Sequence, residues 1–256
     1  MNNKNLKVYF IGAGPGDPEL LTVKGKRIIM EADIIIYAGS LVNKAILESA
    51  KEEAVIYDSS KMSLDDVIDV IEKNKSSAKV IARVHSGDPS IYGAILEQMQ
   101  WCDRSGIVYE VIPGVSSIFA ASATLAQELT LPGISQTVII TRISGRTSVP
   151  PKEDLENISR IGATLVIYLS VDRIGDVVKK LLHGYEKETP VAVVYRASWP
   201  DEKIVKGTLQ DIADKIKSEG INKQSLIIVG DVLNKKDFEM SKLYDKSFTH
   251  SCREGI

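Results

Sequence analysis

Short apolar runs alternate with longer segments of helical period along most of this chain. Lys7–Ile11 (KVYFI) is a compact apolar run ended by glycines and predicts a first strand. Leu20–Glu31 follows with helical spacing, and Thr22 stands where it would help cap that helix. Asp33–Tyr37 (DIIIY) is a continuous β-branched run of the kind buried on both faces of a parallel sheet. A weaker strand falls at Ala54–Tyr57. Ser63 then precedes LDDVIDVIEK, an N-cap with acidic first-turn residues ahead of an amphipathic helix. Lys79–Val84 predicts a strand, Ile91–Trp101 a helix, Val108–Ile112 a strand, and Val115–Gln127 an alanine-rich helix leading out of the first half.

The second half predicts strands at Gln136–Thr141, Thr164–Leu169, Val191–Tyr195, Ile204–Gly207 and Ser225–Val229, with helices at Asp172–Leu182 and Leu209–Ser218. Ile204–Gly207 comes at hairpin-like distance after Val191–Tyr195, so this second sheet should be mixed. The expectation is an α/β protein of two α/β lobes, a mainly parallel sheet followed by a mixed one. The lobes would span residues 1–115 and 116–256, with the active site in the cleft between them. The polar tail after Asn234, with its spaced aromatics, is open to disorder or to packing across a subunit interface.

Composition changes this picture little. With 256 residues, 44% hydrophobic and 26% charged, a sizeable core needs no staples. A net charge of −2 implies no basic stripe for nucleic acid. Cys102 and Cys252 lie far apart, which argues against a disulfide framework and a zinc site and suits a reducing compartment. No apolar run is long enough to span a membrane, and the first residues lack the apolar core of a signal peptide, so a cytoplasmic location is expected.

Candidate chemistry sits at strand ends. Gly12-Ala13-Gly14-Pro15-Gly16-Asp17 follows the first strand, where close glycines permit tight turns and close backbone approach. Dinucleotide binding requires G-x-G-x-x-G opening a helix, whereas this spacing is G-x-G-x-G and Pro15 removes an amide donor. A structural turn, a dinucleotide loop and a different ligand loop all stay open. Ser86-Gly87-Asp88 ends the strand at Lys79–Val84, and Pro113-Gly114-Val115-Ser116-Ser117 repeats the pattern one strand later. Ligands collect outside the carboxyl ends of strands in such sheets. Asp88 is suited either to accept hydrogen bonds from ribose hydroxyls or an amino group, or to cap the next helix. Arg142 and Arg146 share one loop and suit carboxylate recognition, although a solvated loop would look similar. His85, His183 and His250 have no metal-ligand spacing, so no protein-bound metal is expected. Neither a G-x-S-x-G elbow nor a P-loop occurs.

Taken in order, GAGPGDPELLTVKG (12–25), ADIIIYAGSLV (32–42), VHSGDPSIYGA (84–94) and VIPGVSS (111–117) resemble the tetrapyrrole (corrin/porphyrin) methyltransferases over nearly the whole chain. Further segments, ELTLPGISQTVIITR (128–142), GRTSVP (145–150), YRASWPDEKIV (195–205) and SKLYDKSFTH (241–250), resemble the (cobalt-)precorrin-4 C-11 branch. The resemblance implies S-adenosylmethionine as methyl donor, a tetrapyrrole substrate and a homodimer. It implies cofactor contacts at Pro15, Ser86, Gly87, Asp88, Ile91, Ser116 and Ser117, and at Leu169, Ala197 and Ser225. Asp17 would meet pyrrole nitrogens, and Arg142 and Arg146 the macrocycle's carboxylates. Uroporphyrinogen-III methyltransferases carry an acid where this chain has Ala38, and related C-11 enzymes often have Asp where it has Gly39. Methyl transfer of this kind depends on alignment more than on acid/base help, in keeping with the lack of a catalytic dyad. A dinucleotide-dependent oxidoreductase and a non-catalytic binding protein of the same fold are the competing readings. For the first, the acid required at the end of the second strand is missing.

Overall fold

In the computed structural model, residues 6–234 and 238–255 are described. The first five residues, on which the signal-peptide reading bears, and 235–237 of the tail lie outside the described residues. The chain forms two compact units, Met1–Ala121 with Arg196–Glu202, and Ser122–Tyr195 with Lys203–Ile256. The excursion of Arg196–Glu202 into the first unit has no counterpart in the single change of lobe expected near residue 115.

In the first unit, β1 (Lys7–Gly12), β2 (Ile34–Tyr37), β3 (Val55–Asp58), β4 (Val80–His85) and β5 (Val108–Ile112) make a five-stranded sheet in the order β3-β2-β4-β1-β5. Every pairing is parallel. Alternate residues face opposite sides, so β-branched runs feed two cores. Ile11, Ile35 and Val84 pack with Ile28 and Ile29 of α1 (Val23–Glu31). On the other face Phe10, Ile36 and Ile81 pack with Val67 and Ile71 of α2 (Leu64–Lys73) and Cys102 of α3 (Leu96–Arg104). Thr22 caps α1 as expected, its hydroxyl accepting the Gly25 amide at 3.1 Å. Ser63 and Asp66 form a reciprocal capping box on α2.

Helix starts fall later than the periodicity predicts, and two in the first unit show why. The chain at Pro18–Leu20 is a 3-10 turn capped by Asp17, so α1 begins only at Val23. The helix expected from Ile91 begins at Leu96, because Tyr92 and Ala94 hold φ of 55° and 48°. Between them Gly93 packs so tightly that an added Cβ would lie 2.1 Å from the Pro89 carbonyl oxygen.

In the second unit, β6 (Val138–Arg142), β7 (Thr164–Tyr168), β8 (Pro190–Tyr195), β9 (Lys203–Thr208) and β10 (Ser225–Val229) are ordered β6-β7-β10-β8-β9. Only β6 and β7 run parallel, so this sheet is mixed as expected. Leu165, Ile167, Val193 and Ile227 form its core with Leu155 of α5 (Leu155–Ser159), Val177 of α6 (Ile174–Leu181) and Ile216 of α7 (Ile212–Ser218). Helix α4 (Ser117–Thr124) is shorter than its alanine-rich segment. In the tail, Arg253 donates from Nη2 to the carbonyls of Leu243 at 3.0 Å and Phe248 at 3.3 Å, folding the segment on itself.

Candidate functional site

Parallel pairing brings the carboxyl ends of β1, β4 and β5 to one edge of the first sheet. Gly12 is in register with His85, and Ile11 with Ile112. Their loops then interlock through main chain. The Ala13 amide donates to the His85 carbonyl at 2.7 Å, and Gly14 and Gly87 exchange amide-to-carbonyl bonds of 3.3 and 2.8 Å. A Cβ at Gly12 would lie 2.6 Å from the Gly114 Cα, and one at Gly114 only 2.2 Å from the Gly87 carbonyl oxygen. These glycines therefore serve close backbone approach, one of the uses that the spacing left open.

Asp88 binds these loops together. Its Oδ2 accepts the Gly114 amide at 2.8 Å, while Oδ1 accepts the Ser90 amide at 2.9 Å and the Ser90 hydroxyl at 2.5 Å. Burial pushes the carboxyl pKa up, but the bonds from Ser90 and Gly114 outweigh it and hold the pKa below its ordinary value. Helix capping is excluded, since α3 starts eight positions later, at Leu96. Ser116 is buried and Ser117 opens α4, so both fall on the same edge, as does Ile91 in the turn after Asp88.

The Gly12–Asp17 loop is held by Arg196–Glu202 and Asn43, all within the first unit. The Trp199 indole Nε1 donates to the Pro15 carbonyl at 2.8 Å, and Asn43 Nδ2 donates to the Gly16 carbonyl at 2.8 Å. The Asp17 amide donates to the Ser198 hydroxyl at 3.0 Å, and its carboxylate accepts the Glu19 amide at 2.9 Å. The Arg196 guanidinium lies 4.0 Å from the Trp199 ring centroid and pairs with Asp201 at 2.9 Å. Ala197 sits between Arg196 and Ser198, whose φ values of 47° and 68° are costly for residues with side chains, about 1–3 kcal/mol each. Sequence reasoning singled out Ala197 but missed Trp199, Ser198 and Asn43. The only local hint was an aromatic in a polar hairpin connection.

His85 and Arg83 point to the face opposite α1. Arg83 is buried without a carboxylate partner among the described residues, donating from Nε to Gln98 Oε1 at 3.2 Å and from Nη1 to the Ile36 carbonyl at 3.1 Å. Burial lowers its pKa to about 10. Burial, and then the Arg83 charge, bring His85 down to about 3, so its imidazole is neutral near pH 7. Its Nε2 is buried with no partner among the described residues.

In the second unit the remaining candidates gather at one end of the mixed sheet. Arg142 ends β6 in register with Tyr168, the last residue of β7, directly before Leu169. Ser225 opens β10 and pairs with Tyr195, the last residue of β8. Leu169 holds φ of 50° with its apolar side chain 68% exposed, a strained presentation that folding alone does not reward. Arg142 spends its guanidinium on its own loop, donating to the carbonyls of Ile143 at 3.3 Å, Thr147 at 3.1 Å and Ser148 at 2.9 Å. Arg146, at the loop's exposed tip, has no ion pair among the described residues. The two arginines read alike in sequence and stand in different roles in the fold.

The geometry does not suit a dinucleotide. The glycine loop leads into a 3-10 turn and α1 begins at Val23, so no helix N-terminus faces it, as pyrophosphate would require. After β2 the chain offers Ala38 and then Gly39, at φ 47°. A Cβ added at Gly39 would meet the Asp58 carboxylate at 2.8 Å and the Ser60 Cβ at 2.4 Å, so aspartate is not accommodated there without movement. Among the described residues no group of His, Cys, Asp or Glu is placed to hold a metal ion. A surface hollow of about 380 Å³ between α6 and α7, lined in part by Ile174, Ile216 and Lys217, contains none of the candidate residues.

Comparison with known proteins places this arrangement. The family described as Tetrapyrrole (Corrin/Porphyrin) Methylases matches residues 7–213. A cobalt-precorrin-4 C(11)-methyltransferase of Methanocaldococcus jannaschii is 58% identical over 254 residues, covering 99% of this chain and 98% of the relative. The crystal structure of a cobalamin biosynthetic enzyme, cobalt precorrin-4 methyltransferase, superimposes with a TM-score of 0.86 at 43% identity, covering 89% of this chain and 95% of that one. A uroporphyrin-III C-methyltransferase of Thermus thermophilus complexed with S-adenosylhomocysteine gives 0.73 at 31% identity, with 89% and 93% covered. The chain belongs to the tetrapyrrole (corrin/porphyrin) methylases.

Proposed function

We propose that this chain methylates carbon 11 of (cobalt-)precorrin-4, giving (cobalt-)precorrin-5 in cobalamin biosynthesis, with S-adenosylmethionine as donor. The observation that carries this is the end-to-end similarity, 58% over 254 residues, to a cobalt-precorrin-4 C(11)-methyltransferase. The site's chemistry agrees with it: hydroxyls, backbone amides and carbonyls and an exposed apolar side chain, with His85 neutral and buried.

S-adenosylmethionine, when bound, supplies an electrophilic methyl group on a sulfonium, and the nucleophile is an electron-rich ring carbon of the substrate. What the protein contributes is alignment. Pro15, Ser86, Gly87, Ile91, Ser116, Ser117, Leu169, Ala197 and Ser225 are assigned to the donor as the family resemblance implies. Asp88 supports them by fixing the two loops that present Gly87 and Ser116. Asp17 is assigned to the pyrrole nitrogens. Arg146 is assigned to a substrate carboxylate, for which its free planar fork is suited, and Arg142 to shaping the loop that carries it. A homodimer is what the family resemblance implies, and a cytoplasmic location stands as the expectation read from the sequence.

The test is calorimetry with S-adenosylhomocysteine and with NADPH, together with turnover of precorrin-4 and cobalt-precorrin-4. Isotopically labelled donor should place the new methyl on carbon 11 by carbon NMR. Binding of NADPH but not S-adenosylhomocysteine, or methylation at another carbon, overturns the reading.

A further inference from the structure

The loop that carries Asp17, the residue assigned to the pyrrole nitrogens, does not hold its own shape. Within Pro15–Asp17, the Pro15 carbonyl is bonded by Trp199, the Gly16 carbonyl by Asn43 and the Asp17 amide by Ser198. The partners lie far off in sequence, 184 positions for Pro15 and Trp199 and 181 for Asp17 and Ser198. Trp199 also covers Gly16 closely enough that a Cβ there would sit 2.1 Å from the indole Cδ1. The ring is in turn stacked under Arg196, which Asp201 holds. The backbone N–H of Ser198 donates to Glu202 at 2.7 Å, closing the segment on itself.

We infer that Trp199, with Ser198, is a positioning residue for methyl transfer: it fixes the Pro15–Asp17 backbone so that Asp17 is presented to the tetrapyrrole in one orientation. The inference rests on the proposed assignment of Asp17 to the substrate. Asp17 is only partly buried, and its carboxylate caps the turn at Pro18–Leu20. Its direction is therefore set by the main chain on either side. On the N-terminal side, that main chain is held by the indole and the Ser198 hydroxyl. Displacement of a positioned group by about 1 Å is enough to cost on the order of a hundredfold in rate where alignment supplies the catalysis.

Trp199→Phe keeps a ring against Gly16 and beneath Arg196 but deletes the bond to Pro15, and Ser198→Ala deletes the acceptor of the Asp17 amide. Each should raise KM for the tetrapyrrole and lower kcat, with kcat/KM down about tenfold or more. S-adenosylhomocysteine affinity should stay within about twofold of the parent in Ser198→Ala, which frees only the Asp17 amide, whereas Trp199→Phe also frees Pro15 and is read by exchange and by the tetrapyrrole KM. Amide hydrogen exchange should quicken at Gly16–Glu19, a readout independent of turnover. In an Asp17→Ala background Trp199→Phe should add little, because both act through one group. Unchanged exchange in both variants overturns the clamp itself. Quickened exchange with unchanged KM and kcat overturns the positioning role, and so does full additivity with Asp17→Ala. Should Asp17→Ala alone leave KM and kcat untouched, it is the assignment of Asp17 to the substrate that fails, while the exchange data still decide whether Trp199 holds the loop.

Discussion

Asp88→Ala should cost both stability and cofactor affinity, and the structure sets the scale. The substitution removes the acceptor of the partly buried Gly114 amide and both bonds to Ser90. A charge-assisted bond to a backbone amide is worth about 1.5–3 kcal/mol net, and an exposed turn bond about 0.5–1.5. The Ser90 contacts are exposed and belong at the low end, so the sum is roughly 2–4 kcal/mol. At about 2–4 °C per kcal/mol for a chain of this size, thermal unfolding should move down by roughly 5–15 °C. The loops after β4 and β5 also carry Gly87 and Ser116. Their loosening should weaken S-adenosylhomocysteine binding about tenfold, equivalent to ~1.4 kcal/mol. Asp88→Asn should fall between parent and alanine, since one oxygen remains to accept either Gly114 or Ser90 but not both.

Differential scanning calorimetry and ligand titration on parent, Asn and Ala variants decide the matter. Lost affinity with an unchanged melting temperature would mean that Asp88 touches the cofactor directly and that its bonds to Gly114 and Ser90 carry no energy. Lost stability with unchanged affinity would mean that these loops do not hold the cofactor. The carboxylate's lowered pKa has a definite sign. Its contribution is complete above the unfolded value of 3.8 and disappears as pH falls through the lower folded value.

His85 gives a second pH window: its folded pKa of about 3 lies below the ordinary imidazole value of 6.5, so the unfolded chain binds the proton first and stability falls as pH drops below 6.5. Melting curves from about pH 7 to about pH 5, above the range of most carboxylates, should show this decline in the parent and not in His85→Leu; equal slopes refute it. Arg146→Ala should raise the tetrapyrrole KM by about tenfold and flatten its salt dependence, with donor affinity within about twofold. Arg142→Ala should instead make the 143–148 loop more sensitive to proteolysis, and Arg142→Lys should not restore it, because an ammonium does not span three carbonyls. Intact loops in both Arg142 variants would return that residue to the substrate.

Most of the fold is legible in the sequence because its strands are written as uninterrupted β-branched runs. DIIIY and SLIIV mark fully buried strands whatever surrounds them, and β5 and β10 fall at their expected residues. The mixed character of the second sheet follows from the short spacing between β8 and β9. Boundaries fail where tertiary packing overrides local preference. Ile91 to Ile95 is read as helix from its apolar spacing, yet Gly93 packs close against Pro89 and its neighbours Tyr92 and Ala94 hold positive φ, so α3 starts only after them. Helix α5 has five residues, too few to show a period, and is fixed by Asp154, which caps it and pairs with Lys180 at 2.7 Å.

The site divides along the same line. Loops after successive parallel strands must meet at one edge, so Gly12, Gly87 and Ser116 could be grouped from order alone. What one side chain does there depends on bonds that cross the chain. Asp88 reads equally well as ligand or cap and proves to join two loops, its partner Gly114 lying 26 positions away. Arg142 and Arg146 look like a matched pair until the carbonyls of residues 143, 147 and 148 absorb one guanidinium and leave the other in solvent. Trp199 lies within the segment YRASWPDEKIV, but nothing in that segment tells its role, since what matters is the Pro15 carbonyl on the far side of the sequence. A protein that catalyses by alignment has little reason to display reactive pairs. Its functional residues are those that hold backbone in place, and such residues become visible only when the backbone they hold is known.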